Sequence, residues 1–116
     1  MRTIGTPSTQ ARKLNAIASG ALPNGDPIVV NADGTVSAVG GGNLTSENYI
    51  GIASNGYPDT AWATSDVQGA INDRQSGLTA GQSYYVQTDG TLTETAGDPS
   101  VFAGTAISAT KMIVKG

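Results

Sequence analysis

The stretch LTAGQSYYVQTDG at residues 78–90 repeats, at a constant offset of 56, the stretch LPNGDPIVVNADG at residues 22–34. Both copies read Leu-x-x-Gly, then an apolar run closing on Val, then x-x-Asp-Gly-Thr and an aliphatic residue, Val36 or Leu92. Further on, Gly51-Ile52-Ala53 is matched by Gly104-Thr105-Ala106, where the offset has slipped to 53 and the intervening loop differs by three residues. A duplication of this size restricts the architecture more than any single motif, and two copies are too few for a solenoid. The expectation is one domain built from two similar β units, at about residues 22–56 and 78–116.

Each unit reads as a hairpin. Pro27-Ile28-Val29-Val30 and Ser83-Tyr84-Tyr85-Val86 are β-branched or aromatic runs that suit a half-buried pleated surface. Asn31-Ala32-Asp33-Gly34 and Gln87-Thr88-Asp89-Gly90 follow. A type I turn accepts Asn and Asp, and the left-handed residue needed behind it is Gly. Gly34 and Gly90 are therefore predicted at positive φ, with return strands through Val36 and Leu92. Asp33 and Asp89 taken alone would read as a carboxylate pair or metal site, but turn chemistry accounts for both.

At 116 residues the chain fits one domain. Its 22 Leu, Ile, Val and Phe residues lie near the low edge for a globular protein. The net charge of only −3 argues against disorder, and 16 glycines point to short strands and many turns. So thin a core is expected to be marginal alone, which favours a homo-oligomer or an assembly component.

With no Cys and no His, the chain has no disulfide, thiolate nucleophile, His-based triad or usual zinc site. Neither glutamate (Glu47, Glu94) falls on a rigid element, Asp26, Asp59, Asp73 and Asp98 sit in turn-like contexts, and no Ser has a recognisable nucleophile setting. The expectation is no enzyme, no cofactor and no metal. A pI near 4.5 disfavours general nucleic-acid binding. No apolar run is long enough to span a bilayer and no signal-peptide core is visible, so no membrane partner is expected.

Along the chain, residues 1–21 stand apart as a candidate N-terminal arm ahead of a single β domain at 22–116. The arm holds Arg2, Arg12 and Lys13 and no acid, against 3 basic and 9 acidic residues in the rest. It reads either as a frayed terminus or as a basic arm that orders against an acidic neighbour, with Ile4, Leu14 and Ile17 as apolar anchors. Residues 11–18 could form a helical turn or two. Gly40-Gly41-Gly42 opens a loop without phosphate-loop features. Tyr49–Ala53 reads as a strand ended by Asn55-Gly56. Trp62 falls among loop residues, either capping one end of the fold or anchoring a subunit contact. Residues 66–71 read as a strand, with a short helix as the competing assignment, and 72–77 as a polar loop. Residues 101–107 read as a strand, and the last, Met112-Ile113-Val114, is flanked by lysines as edge strands often are.

The segment QSGLTAGQSYYVQTDGTLTETAGDPSVFAGTAISATKMIVK, residues 75–115, resembles a module found in structural proteins of tailed bacteriophages, often at the end of tail or fibre chains. The earlier GALPNGDPIVVNADGTVSAV followed by YIGIAS is similar in layout to small head-decoration proteins, where a hairpin precedes a Gly-Ile-Ala strand and a further strand. Together the two cover about residues 22–115 and bring no catalytic residues. Short, without heptads and beginning at Met1, the chain departs from a fibre.

The resemblance implies an all-β fold, a compact sandwich or barrel of short antiparallel strands preceded by an extended arm. It implies a virion structural protein, made in the bacterial host cytoplasm. Such a capsid decoration (cement) protein, expected to be trimeric, would bind the major capsid protein on the head surface and stabilise the shell. Arg2, Ile4, Arg12, Lys13, Leu14, Ile17 and Trp62 are the expected capsid or subunit contacts, and Asp33, Gly34, Asp89 and Gly90 the structural turns. The alternative is a tail or fibre component touching host glycans through Trp62, Tyr49 and Tyr57.

Overall fold

The structure is a computed structural model and describes residues 13–115. It is all-β, with ten strands: β1 Lys13–Ile17, β2 Pro27–Val30, β3 Val36–Ala38, β4 Tyr49–Ala53, β5 Trp62–Val67, β6 Ile71–Asn72, β7 Ser83–Val86, β8 Leu92–Thr93, β9 Phe102–Ala106 and β10 Met112–Val114. They form two five-stranded antiparallel sheets, ordered β1-β5-β4-β2-β3 and β6-β10-β9-β7-β8. Adding five to each label of the first sheet gives the second, so each sequence unit is a whole sheet.

The duplication extends to individual hydrogen bonds. The Gly25 amide donates to Ala53 O and the Gly81 amide to Ala106 O; the Ala53 amide donates to Asp26 O and the Ala106 amide to Gln82 O. Both β2–β4 and β7–β9 carry a bulge at the same place, leaving Ile50 and Ala103 as the extra residues. Each bulge bends its strand and sharpens the twist. The next residue, Gly51 or Gly104, then comes so close to its neighbour that a Cβ would collide with the carbonyl oxygen of Asp66 or Ile113. That is the physical content of the repeated Gly-x-Ala step.

Both turns form as the sequence predicts. Gly34 has φ +87° and Gly90 φ +89°. Asp33 Oδ1 accepts from the Thr35 amide (3.1 Å) and hydroxyl (2.6 Å), and Asp89 Oδ1 from the Thr91 amide (3.0 Å) and hydroxyl (2.7 Å). These bonds, the hydroxyl's first, hold both carboxyls below the ordinary value of 3.8.

The face of each sheet that carries its own Leu-x-x-Gly leucine is its inner face. In the first sheet Ile28, Val36, Ala53 and Ala63 bury there with Ala18 and Leu22. The sheet curls until Ala18 bridges Val36 on the opposite edge, and Tyr57 exchanges backbone hydrogen bonds with Leu22. In the second sheet the corresponding face carries Tyr84, Val86, Ala106, Met112 and Val114, joined by Leu78. It packs on the outer face of the first sheet, on Val29, Tyr49 and Ile52, with Val39 and Leu44 closing the side. The two units are therefore stacked in tandem, inner face onto outer face.

Stacking makes equivalent turns unequal. At Gly34 a Cβ would meet nothing within 4 Å, whereas at Gly90 it would lie 2.7 Å from Val39 O. Gly34→Ala is expected to cost about 1 kcal/mol for its positive φ alone. Gly90→Ala adds an overpacking cost of about 1–3 kcal/mol. Urea unfolding of the two variants measures the difference, and equal midpoints would mean that Val39 does not press on the second turn.

Several sequence expectations change. Residues 13–17, placed in the arm and within a possible helical turn, form strand β1, because alternate residues Leu14 and Ala16 pack inward while Lys13, Asn15 and Ile17 face out. Trp62 opens β5 and does not cap the fold, being 64% exposed. The strand expected at 66–71 is two, β5 and β6, joined by a turn in which the Ala70 amide donates to Val67 O. The terminal strand β10 is not an edge: it lies between β9 and β6.

Candidate interaction site

The outer face of the first sheet extends beyond what the second sheet covers. On β1 and β5 three cross-strand pairs succeed one another: Lys13 opposite Asp66, Asn15 opposite Thr64, and Ile17 opposite Trp62. Period-two alternation puts all six side chains on one face. Thr64 Oγ1 donates to Asn15 Oδ1 at 2.6 Å. Ile17 and Trp62 are 40% and 64% exposed, an apolar pair presented to solvent at the end of the row.

The other end of the row lies at the junction of the sheets. Lys13 Nζ forms a salt bridge with Asp66, whose side chain is 3% exposed against 42% for Lys13. Asn72 on β6, fully buried, donates through Nδ2 to Asp66 Oδ2 (2.9 Å) and to Ala53 O (3.2 Å). Its Oδ1 accepts from the Arg74 amide (3.1 Å) and from Gln75 Nε2 (2.9 Å). Two donors and two lone pairs make that set complete. No buried side-chain polar atom among the described residues lacks a partner.

Where the second sheet ends over the first, a groove of about 630 Å³ opens, lined by Lys13, Tyr57, Thr64, Arg74, Ile71 and Lys111 among others. Trp62 shares the face of Thr64 and Asp66 and so flanks this groove. The Ser54 hydroxyl, then Thr64, hold the Tyr57 phenol below its usual value. The groove offers cations, the carboxylates of Asp66 and Asp73, amide and hydroxyl groups, and apolar walls from Ile71 and Ile107.

Of the contact residues expected from sequence, Lys13, Ile17 and Trp62 come together on this outer face, while Leu14 lies on the inner one. Arg2, Ile4 and Arg12 lie outside the described residues. Tyr49 leaves the proposed aromatic surface: it is buried, only 9% exposed, its hydroxyl donates to Ala103 O at 3.2 Å, and burial pushes its phenol pKa up. Sequence reading missed Asn72, placed in a polar loop, and the Lys13–Asp66 pairing. A lone Asn among polar residues carries no signal of burial, and a pairing 53 residues apart has no local trace. Comparison with protein-family models and with curated proteins returns no match.

Proposed function

We propose that this chain is a virion structural protein that decorates the head of a tailed bacteriophage. It would bind the major capsid protein from outside and cement neighbouring shell subunits as a homo-oligomer. The observation that carries the reading to particular residues is the exposed Ile17–Trp62 pair in register on β1 and β5, on the same face as Lys13 at the far end of the row. Trp is the residue most enriched among interface hot spots, and an exposed aliphatic neighbour enlarges the area it can bury. The basic residues Arg2 and Arg12 precede β1 in sequence, so charge-assisted contacts to an acidic shell would enter from the Lys13 end of the row, opposite the apolar pair.

The test is occupancy of heads by purified protein, read by electron microscopy and by co-sedimentation across a salt series. Full-length protein is expected to cover the head in many copies. Trp62→Ala should reduce affinity at least about tenfold, a loss of about 1.4 kcal/mol. Removing residues 1–12 should weaken attachment most at low salt, since screening already suppresses its charge contacts at high salt. A deletion through Gly20 would remove β1 and the Ala18 bridge, so the cut belongs before Lys13. Unchanged occupancy for Trp62→Ala would sink the assignment of the contact.

A second reading, a tail component touching host glycans, is favoured by one feature: exposed Trp62 flanks a groove lined by Tyr57, Thr64 and Arg74. Aromatic faces with nearby polar groups suit sugar rings. A few copies at the tail, with none over the head, would select it.

A further inference from the structure

The tandem stacking leaves one question of symmetry in the chain's own architecture. In the first sheet the outer face, with Pro27, Val29, Tyr49 and Ile52, is buried by the second sheet. In the second sheet the equivalent positions are Ser83, Tyr85, Phe102 and Thr105, and among the described residues no third sheet covers them. The register extends the row across the sheet: Ile71, Ile113, Thr105 and Ser83 lie side by side on β6, β10, β9 and β7, and Phe102, Tyr85 and Thr93 form the next row. None of these seven is charged. Tyr85 and Phe102 pack ring against ring, with centroids 5.7 Å apart at 54°. Ile71 is 53% exposed, and Ile107, just beyond β9, is 48% exposed.

We propose that this outer face of the second sheet is where two copies of the chain pair about a two-fold axis, with Phe102 and Tyr85 at the centre of the contact. Two features select a second copy as the occupant. First, the inner faces are already filled, that of the first sheet by Ala18 and Leu22 and that of the second by the first sheet. The head-to-tail mode used within the chain therefore has no open inner face to accept it on another copy, and of the two uncovered sheet surfaces, this face and the Lys13-to-Trp62 row, only this one is free of charged side chains. Second, the charges suit self-association. The centre is neutral, so identical surfaces meet without like-charge opposition, and the rim carries both signs, with Lys111 and Lys115 beyond the ends of β10 and Asp73 after β6. An apolar centre inside a polar rim is the usual anatomy of an interface, and a two-fold contact must be complementary to itself. The pairing leaves Ile17 and Trp62 free on the other sheet, while Ile71 and Lys111, which also line the groove beside Trp62, lie at its edge.

Sedimentation velocity of full-length protein over a dilution series tests this directly. The expected result is a reversible monomer–dimer equilibrium. Phe102→Glu and Ile113→Lys should each weaken it at least about tenfold, while Trp62→Ala leaves it unchanged. Circular dichroism melts check that the charged variants are folded. Should they fail to fold, methyl NMR of the wild-type protein decides: the signals of Ile71 and Ile113 should move on dilution and that of Ile17 should not. A chain that stays monomeric at the highest concentration, an oligomer that the charged variants leave intact, or dilution shifts confined to Ile17 would overturn the proposal.

Discussion

Gly104→Ala is expected to destabilise the fold by about 3 kcal/mol or more, and its counterpart Gly51→Ala by a similar amount. At both positions the Cβ would run into a carbonyl oxygen of the adjacent strand, Ile113 O for Gly104 and Asp66 O for Gly51. Backbone is what stands in the way, so the clash cannot be relieved by turning a side chain. A strand must move, and β9 and β4 are the central strands of their sheets, each hydrogen-bonded on both sides. Glycine within a strand often marks such a close approach. Since small domains are stable by only about 5–15 kcal/mol, a loss of this size should lower the melting temperature by roughly 10 °C or more. Gly40→Ala is the control: nothing lies within 4 Å of its Cβ and its φ is not in the left-handed region. It should be neutral or slightly stabilising through the unfolded chain. Calorimetry in which Gly104→Ala melts with the wild type would refute the close approach.

Asn72→Ala should cost about 3–4 kcal/mol, although sequence reading would class the residue as part of a polar loop. Its amide is fully buried between the sheets and holds four groups: Asp66 Oδ2, Ala53 O, the Arg74 amide and Gln75 Nε2. Truncation strands several of these away from water. Lys13, half exposed, still neutralises Asp66, which keeps the loss below that of breaking a fully buried ion pair. Asn72→Asp provides the sharper check. It sets a second carboxyl against Asp66 at the distance of a hydrogen bond, so ionisation of both is opposed and their shared titration is driven upward. A raised carboxyl pKa in the fold means stability that is present at low pH and lost as pH rises through the folded value. Asn72→Asp should therefore be most deficient near neutrality and recover on mild acidification. Denaturation midpoints at several pH values measure this, and a pH-independent deficit would show that residue 72 and Asp66 do not meet.

The turns illustrate what can be read locally. The paired x-x-Asp-Gly-Thr segments specify their geometry through a residue that tolerates positive φ and a carboxylate that reaches the amide two residues on. Gly34, Gly90, Asp33 and Asp89 accordingly sit as expected. Short β-branched runs closed by such turns can only be hairpins, and the repeat requires two of them. β1 was less legible because alternation of Leu14 and Ala16 with Lys13, Asn15 and Ile17 is faint when the inward residues are small. Trp62 looked like a loop residue because proline, glycine and aspartate surround it, yet pairing with β1 across 45 residues makes it the first residue of a strand.

The amino-acid sequence by itself determined the duplication, the all-β class, the two hairpins with their glycine turns, and the absence of cysteine and histidine chemistry. These are properties of composition and of contacts a few residues apart, where φ preference, turn hydrogen bonds and side-chain alternation act without help from the rest of the chain. Only the tertiary structure decided that the units stack in tandem, that Asn72 and Asp66 are buried at the junction, that Tyr49 is sealed inside while Ile17 and Trp62 face solvent, and that β10 is central. Each of these depends on which faces meet, and a β strand with apolar residues on both sides is compatible with either face turned inward. The choice was made mostly by residues distant in the chain, such as Tyr49 with Ala103 and Ile17 with Trp62, through close packing that no local pattern encodes.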